Sequence, residues 1–591
     1  MPKPKFLRPA LWVPALLLAA LLEGVYFQWL QGRSPAAAPQ LSATRLETLA
    51  GVVDSALRGD PVTAAPPLEP AWESVYAALW RDGKRDGQAW SQAGPDSVFD
   101  AVSRARQRAA TASDSVELSL ACCFRDLDPQ QLGDDLTPAQ RGVRGLEVIY
   151  AGRSLRFAPT MMVAENLSFE RALSRAARFL QVDGDTLLRE AQLRSFEAAQ
   201  VLVTLQPEPR AQQLFRGQRT LPPAAVNRDS VAQFARQMGR WMHANLHPDG
   251  RMTYMYYPGS GRESHANNMI RQWMATLALV RLARVSGDGE DLAAARRNIE
   301  YNLAHFYRRE GELGIIQYKG QVKLGAVALA ALALLEMPGD EYAAQLHSLV
   351  ATTDLLWQDS GEFNNFLRPE KRNREANFHN FYPGETLLLW AALLQREADP
   401  GRERRFMQSV EFYRQWHRDH RRPAFVPWQT QAAYLRWQDG GSAQLSDWIF
   451  SMNDWLLAMQ EHSGDGYPDT PGRFYNPRVP AYGPPHASST GVYLEGLVDA
   501  WQLARALGDS VREQRYRSAI VQGLRSAMQL QFRDADGQWF VDDLLRTSGG
   551  LRTTVYNNVI RVDNVQHTLL AAQKILAADD GKGSLLPVAA Q

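Results

Sequence analysis

From about residue 229 onward the chain repeats one pattern six times, and this repeat restricts the fold more than any other feature. Each copy has an amphipathic helix, then a loop that usually sets Gly beside Asp or Glu, then an aromatic or extended stretch. A second helix follows, richer in Ala, Leu and Val. The loops fall at 247–254, 309–314, 358–363, 418–423, 461–467 and 534–539, and the fourth, which lacks Gly, is the weakest copy. The second helices start near Asn268, Gln321, Tyr382, Pro427, Ser489 and Val559. A helix that is apolar over most of its surface must be buried, whereas one with a polar stripe can face water. The second helices therefore form an inner ring and the first helices an outer one. Connectors at 285–288, 337–340 and 506–509 lead from an inner helix to the next outer one. Six pairs predict closure into an (α/α)6 toroid, so the fold class is mainly α. An open solenoid is the structural alternative.

In such a ring the N-terminal ends of the inner helices open toward one face, and the residues at those starts converge. The stretch 377–390, NFHNFYPGETLLLW, sets His379, Tyr382 and Glu385 in front of one apolar helix. The other starts bring Asn268, Arg271 and Gln272; Lys319, Gln321 and Lys323; Trp428 and Gln429; His486, Ser489, Tyr493 and Glu495; and Asn558, Arg561, Asp563, Gln566 and His567. This set holds aromatics for stacking, amides for hydroxyls, carboxylates for proton transfer and cations. Glu385 and Asp563 can act as general acid and base on a glycosidic bond; the competing role is helix N-terminal charge. His379 and Tyr382 can abstract a proton beside a uronate carboxylate, or stand as a hydrogen-bonded wall. Arg271, Lys323 and Arg561 either grip a substrate carboxylate or phosphate or pair with Glu385, Glu495 and Asp563 as structural bridges. Trp428 and Tyr493 read as sugar platforms or as core. His486 and His567 are candidates beside a packing role, and Glu495, inside its helix, reads as an ion-pair partner. There is no HExxH, Gly-rich phosphate loop or zinc-ligand spacing, so neither a metal nor a nucleotide cofactor is expected.

The segments Ser488-Ser-Thr-Gly-Val-Tyr-Leu-Glu-Gly496, Asn380-Phe-Tyr-Pro-Gly-Glu385 and Arg561-Val-Asp-Asn-Val-Gln-His567 carry a resemblance to toroid enzymes of carbohydrate metabolism. These include N-acylglucosamine 2-epimerases, the C-terminal domain of glucuronyl C5-epimerases, and six-hairpin glycosidases and lyases. The resemblance covers about 229–575. It is one of architecture and does not choose among reactions.

Ahead of the repeats, residues 41–210 mix helical and extended patterns with a core of their own, an α+β domain. Helices are expected at 41–58, 97–112, 169–179 and 183–190, strands at 74–80, 116–123 and 198–205, a turn at 82–87 and a hairpin over 143–157. The order of DGKRDG, VELSL, RGLEVIYAGRSLRFAP and RALSRAARFLQV resembles an AMMECR-type domain over roughly 45–205. That family's turn carries Arg-Gly-Cys. Here the residues are Arg85-Asp86-Gly87-Gln88, so chemistry tied to the Cys is in doubt and the domain reads as an accessory or binding module. Residues 207–223, rich in Pro, Gln and Arg, read as a linker. The toroid is bounded at 211–580, with a tail at 581–591.

The first forty residues form an address. Lys3, Lys5 and Arg8 precede an apolar run at 9–22, and an Ala/Pro-rich piece ends near 40. Basic residues before an apolar run hold the N-terminus in the cytoplasm and send the rest across. The segment is a signal anchor or a cleaved signal; both place the bulk of the chain in a periplasm or its equivalent. The only cysteines, Cys122 and Cys123, are adjacent, and no structural disulfide is expected; they read as two small buried apolar residues. A net charge of +1 gives no sign of a nucleic-acid partner.

Together these readings predict a membrane-anchored carbohydrate-active enzyme, as hydrolase, lyase or epimerase, on an anionic extracytoplasmic polysaccharide. The alternative is a non-catalytic glycan-binding or assembly protein that works with envelope polymer-synthesis proteins.

Overall fold

The computed structural model describes residues 40–60, 72–91, 93–462, 466–533, 537–581 and 584–588. The address segment lies outside them, apart from residue 40. Among the described residues no helix is long and apolar enough to cross a membrane.

The first part is a seven-stranded antiparallel sheet covered on both faces. Its elements are α1 (Ala43–Arg58), β1 (Ser74–Arg81), β2 (Lys84–Trp90), α2 (Ser97–Arg108), β3 (Ser115–Asp126), β4 (Arg144–Tyr150), β5 (Arg153–Phe157), α3 (Pro159–Ala164), α4 (Phe169–Leu180), α5 (Gly184–Glu190), β6 (Gln192–Thr204) and β7 (Arg210–Leu214). The order is β2-β1-β3-β6-β4-β5. Strand β6 is long enough to pair with β4 through Gln192–Glu197 and with β7 through Gln200–Thr204 on the same edge. Strand β1 reads as one apolar run because both its faces are buried. Val75, Ala77 and Leu79 pack under α1 and α2, and Tyr76, Ala78 and Trp80 point into the core shared with the second part.

Two expectations fail here. The stretch 82–87 is a turn only at Asp82 and Gly83, both with positive φ; the rest belongs to β2. The stretch 207–223 holds strand β7 and the buried Arg216 and Gln218. Its polar side chains reach inward: Arg216 donates to Asp469 (2.9 Å) and to the carbonyls of Ala139 and Arg141. The cysteine pair also differs: Cys122 is half-buried and Cys123 exposed, where the β3–β6 ladder breaks register.

In the second part the described residues form six outer helices, α6 (Arg228–Ala244), α8 (Gly289–Phe306), α10 (Ala343–Leu355), α12 (Pro400–Asp419), α14 (Ala443–Leu457) and α16 (Ser510–Gln529). They alternate with six inner ones, α7 (Met269–Ser286), α9 (Leu324–Glu336), α11 (Tyr382–Arg396), α13 (Val426–Gly440), α15 (Ala487–Ala506) and α17 (Val562–Ala578). Each inner helix packs on the next, and α17 packs against both α7 and α6, so the ring closes. Helix α9, LGAVALAALALLE, is buried along nearly its whole length, as its composition requires. Close approach between inner helices rests on glycine at points such as Gly491, where a Cβ would stand 2.7 Å from Thr568 N on α17.

Two four-stranded antiparallel ribbons crown the N-terminal mouth of the ring. One runs β10 (Tyr307–Glu310), β11 (Leu313–Tyr318), β12 (Gln321–Lys323) and β13 (Phe366–Arg368); the other joins β8 (Met255–Tyr257), β9 (Arg262–Glu263), β14 (Arg552–Thr554) and β15 (Asn557–Arg561). Strands β12 and β15 run straight into α9 and α17. These two inner helices thus begin three residues later than the sequence suggested, because Gln321 and Val559 lie in strands.

Candidate active site

The strand-to-helix junctions fix what faces the mouth. Lys323 and Arg561 are the N-caps of α9 and α17, held by ribbon on one side and helix on the other. The first part of the chain braces the second junction. Asn558 donates to Val163 O (2.5 Å), its N–H donates to Asn166 Oδ1 (3.1 Å), and its own Oδ1 accepts from Arg552 (3.1 Å). Asn558 is therefore committed to holding β15 against α3 and does not line the cavity.

A cavity of about 320 Å³ opens at this mouth. Of the residues predicted from the sequence, Arg271, Tyr382, Glu385, Trp428, His486, Tyr493, Arg561, Asp563 and His567 line it, with Asn268, Ser489 and Gln566. Lys323 lines an adjoining 170 Å³ recess that shares Asn268 with the main cavity. Besides Asn558, three predicted residues point elsewhere. His379 is buried behind the wall, 3.3 Å from Glu362 and packed against Tyr413 and Trp416. Burial, with His420 adding to it, pulls its imidazole down to about 4. Gln272 is spent on Met252 O and Asn267 Oδ1. Glu495 lies below the floor and reaches the cavity only through His567.

The two carboxyl groups expected to transfer protons have opposite environments. Glu385 is 1% exposed, and its Oε2 has no hydrogen-bond partner among the described residues. Burial pushes its carboxyl up to about 8, against a smaller opposing pull from Lys323. Asp563 is equally enclosed, but its Oδ1 accepts from Arg561 Nε (2.9 Å) and its Oδ2 from Arg271 Nε and Arg561 Nη2 (each 2.7 Å). Burial alone would raise Asp563; the two guanidiniums outweigh it and hold the carboxyl below its ordinary value. At neutral pH Glu385 is an acid with a proton to give, and Asp563 is a fixed anion whose oxygens are occupied.

His567 supplies a different proton carrier. Its Nδ1 donates to Glu495 Oε1 at 2.7 Å, which fixes the ring and leaves Nε2 outside that bond. Trp428 meets the same ring edge-on at 5.9 Å. His486 is kept neutral, drawn down to about 4 by burial and then by Arg561. Burial also raises the phenols of Tyr382 and Tyr493, so both stay protonated donors. Gln566 is fully buried in the wall with neither end of its amide hydrogen-bonded. Lys323, lowered by burial and then by Arg372 and Arg271, has no hydrogen-bond or ion-pair partner among the described residues.

The sequence reading missed Tyr254 and Gly325. Tyr254 accepts from Arg271 Nη1 at 2.5 Å and aims it. Gly325 makes room for Glu385: a Cβ there would sit 1.9 Å from Oε2. The meeting of α9 with α11 exposes the need for Gly325, and that of α7 with the residue before β8 the role of Tyr254; a glycine inside an apolar helix was the one signal available. Among the described residues no His, Cys, Asp and Glu group is placed to hold a metal.

No protein-family model matches the chain, and no curated protein matches it. Solved structures do. A D-mannose isomerase is 11% identical, covering 61% of this chain and 100% of its own, with a TM-score of 0.44. Cellobiose 2-epimerase from Bacillus thermoamylovorans is 9% identical over 58% of this chain and 99% of its own, with a TM-score of 0.43. An uncharacterized protein from Pyrococcus horikoshii is 15% identical over 29% of this chain and 94% of its own, with a TM-score of 0.25.

Proposed function

We propose that this cavity is the active site of a carbohydrate-active enzyme working on an anionic polysaccharide outside the cytoplasm. In this reading residues 1–40 attach the chain to a membrane and residues 41–210 serve as an accessory module. Glu385 carries the reading. A buried carboxyl with an unpartnered oxygen and a value near 8, facing a cavity, is costly to keep unless it donates a proton there.

Glu385 is the general acid. His567, oriented by Glu495, is the base. Arg271 and Arg561, held by Asp563, retain a net positive charge toward a substrate carboxylate. Lys323 adds a cation with no side-chain partner among the described residues at a helix N-terminus, where the helix dipole already favours an anion. Gln566 offers both a donor and an acceptor to hydroxyls, and Trp428 a face for a ring.

The test is incubation of the full chain with uronate-containing polymers (alginate, pectate, hyaluronan). New reducing ends mark a hydrolase, ultraviolet absorbance of an unsaturated uronate marks a lyase, and deuterium uptake from D2O without chain cleavage marks an epimerase. Glu385→Gln is expected to abolish turnover and spare binding. Binding of these polymers with no turnover by the wild type would replace the enzyme with a non-catalytic glycan-binding or assembly protein.

A further inference from the structure

The opposite mouth of the ring holds a larger cavity, of about 760 Å³, and every inner helix contributes to its lining. Small-molecule sites range over about 300–1,000 Å³. Nothing in the chemistry described above uses this space.

Its charges are engaged within the wall: Arg281 and Arg284 with Glu336, Lys574 with Asp499 and Glu495 with His567, while Arg396, with no ion pair among the described residues, donates to the carbonyl of Leu335. Arg281 makes a two-pronged contact with Glu336 (2.9 and 2.6 Å), and Lys574 meets Asp499 at 2.5 Å. An incoming ion therefore finds no free counter-charge in these pairs. The amides are different. Among the described residues Gln431, 4% exposed, has no partner for its Nε2, and Gln573 has none for its Oε1. A buried donor and a buried acceptor left open are each destabilising. A sugar, whose hydroxyls both donate and accept, can answer the two. Tyr434 presents a ring to the same space, with its hydroxyl donating to Gln502 (2.9 Å), and Leu335, Leu388 and Leu570 give apolar walls.

We infer that this mouth is a second binding site, for a neutral sugar. It is separate from the proposed active site but touches it. Glu495 lines the lower cavity and hydrogen-bonds His567 of the upper one, so the pair forms part of the wall between them. A sugar seated below lies against the residue that orients the proposed base.

The site is tested by calorimetry and saturation-transfer NMR on the full chain, with methyl α-D-glucopyranoside and methyl α-D-mannopyranoside as probes and sodium glucuronate as the charged control. At least one neutral glycoside is expected to bind saturably. Gln431→Leu and Gln573→Leu should each weaken it on the order of tenfold, and Gln566→Leu in the upper cavity should leave it unchanged. No saturable binding by the wild type overturns the inference, as does binding abolished by Gln566→Leu and indifferent to both lower variants. Hydrogen exchange on the wild type decides the matter without substitution: glycoside-dependent protection at 431–438 supports the lower site, and protection confined to 486–493 overturns it. Loss of polymer turnover in the upper cavity would leave these readouts untouched, so the two proposals fail separately.

Discussion

Oε2 of Glu385 lies 1.9 Å from where a β-carbon on Gly325 would stand, so the position of the proposed acid depends on a missing methyl group on the neighbouring inner helix. Gly325→Ala should force the carboxyl to move and also press the buried Tyr382 ring, whose Cδ1 lies 2.7 Å from the same point. The expected result is a fall in kcat on the order of 10²-fold with a lower melting temperature from the overpacked contact. An unchanged kcat would remove Glu385 from the chemistry.

Glu385 should leave its mark on both rate and stability. Its folded value of about 8 exceeds its ordinary value of 4.5. Catalysis that needs the protonated form declines as pH rises through that folded value. Because the folded state holds this proton more tightly, its stabilising contribution is complete below the unfolded value and is lost as pH rises toward the folded one. Glu385→Gln cannot ionise. It should be inactive, yet more stable than wild type by a few kcal/mol above pH 8, as read by urea unfolding at two pH values.

Asp563→Asn should act in the other direction. It leaves Arg271 and Arg561 facing each other without the anion between them. Removing one partner of a buried pair costs about 3–5 kcal/mol, and the lower end applies because the Arg271 side chain is 32% exposed. In the wild type this stabilisation is present at neutral pH and is lost as pH falls through the depressed folded value. Chemical denaturation at pH 7 and in acid should show the variant's deficit shrinking in acid.

Glu495→Gln separates orientation from binding. The amide can present its NH2 to His567 Nδ1 and stabilise the wrong tautomer. The expectation is a loss of kcat on the order of 10²–10⁴-fold with KM nearly constant. A change confined to KM would make His567 a binding residue.

Arg216 and Asp469, both side chains fully enclosed, tie the sheet to the ring across 253 residues. Arg216→Met strands Asp469 and should destabilise the chain by about 3–5 kcal/mol. Because one core runs through both parts, unfolding should remain a single transition by calorimetry. Separation into two transitions would show the parts to be independent.

The ring was legible in the sequence because helix periodicity and all-round apolarity are local, repeated signals. Six apolar helices such as 324–336 had to be buried, and the residues just ahead of them had to converge. The placement of Arg271, Glu385, Arg561 and Asp563 around one hollow follows from that. Tertiary contact decided their roles. Glu385 and Asp563 are both first-turn acids on inner helices, alike in the sequence. One meets Gly325 and no donor for Oε2, the other meets two guanidiniums, and this alone drives their proton affinities apart. His379 lies in the short turn ahead of α11, between Phe378 and Phe381 of the cavity wall, and faces Glu362 instead of the cavity. Asn558 is captured by α3, an element some 400 residues earlier in the chain. Local pattern sets what must be buried, while the partner found in the interior sets the charge a buried group carries, because desolvation and pairing are of similar size and opposite sign.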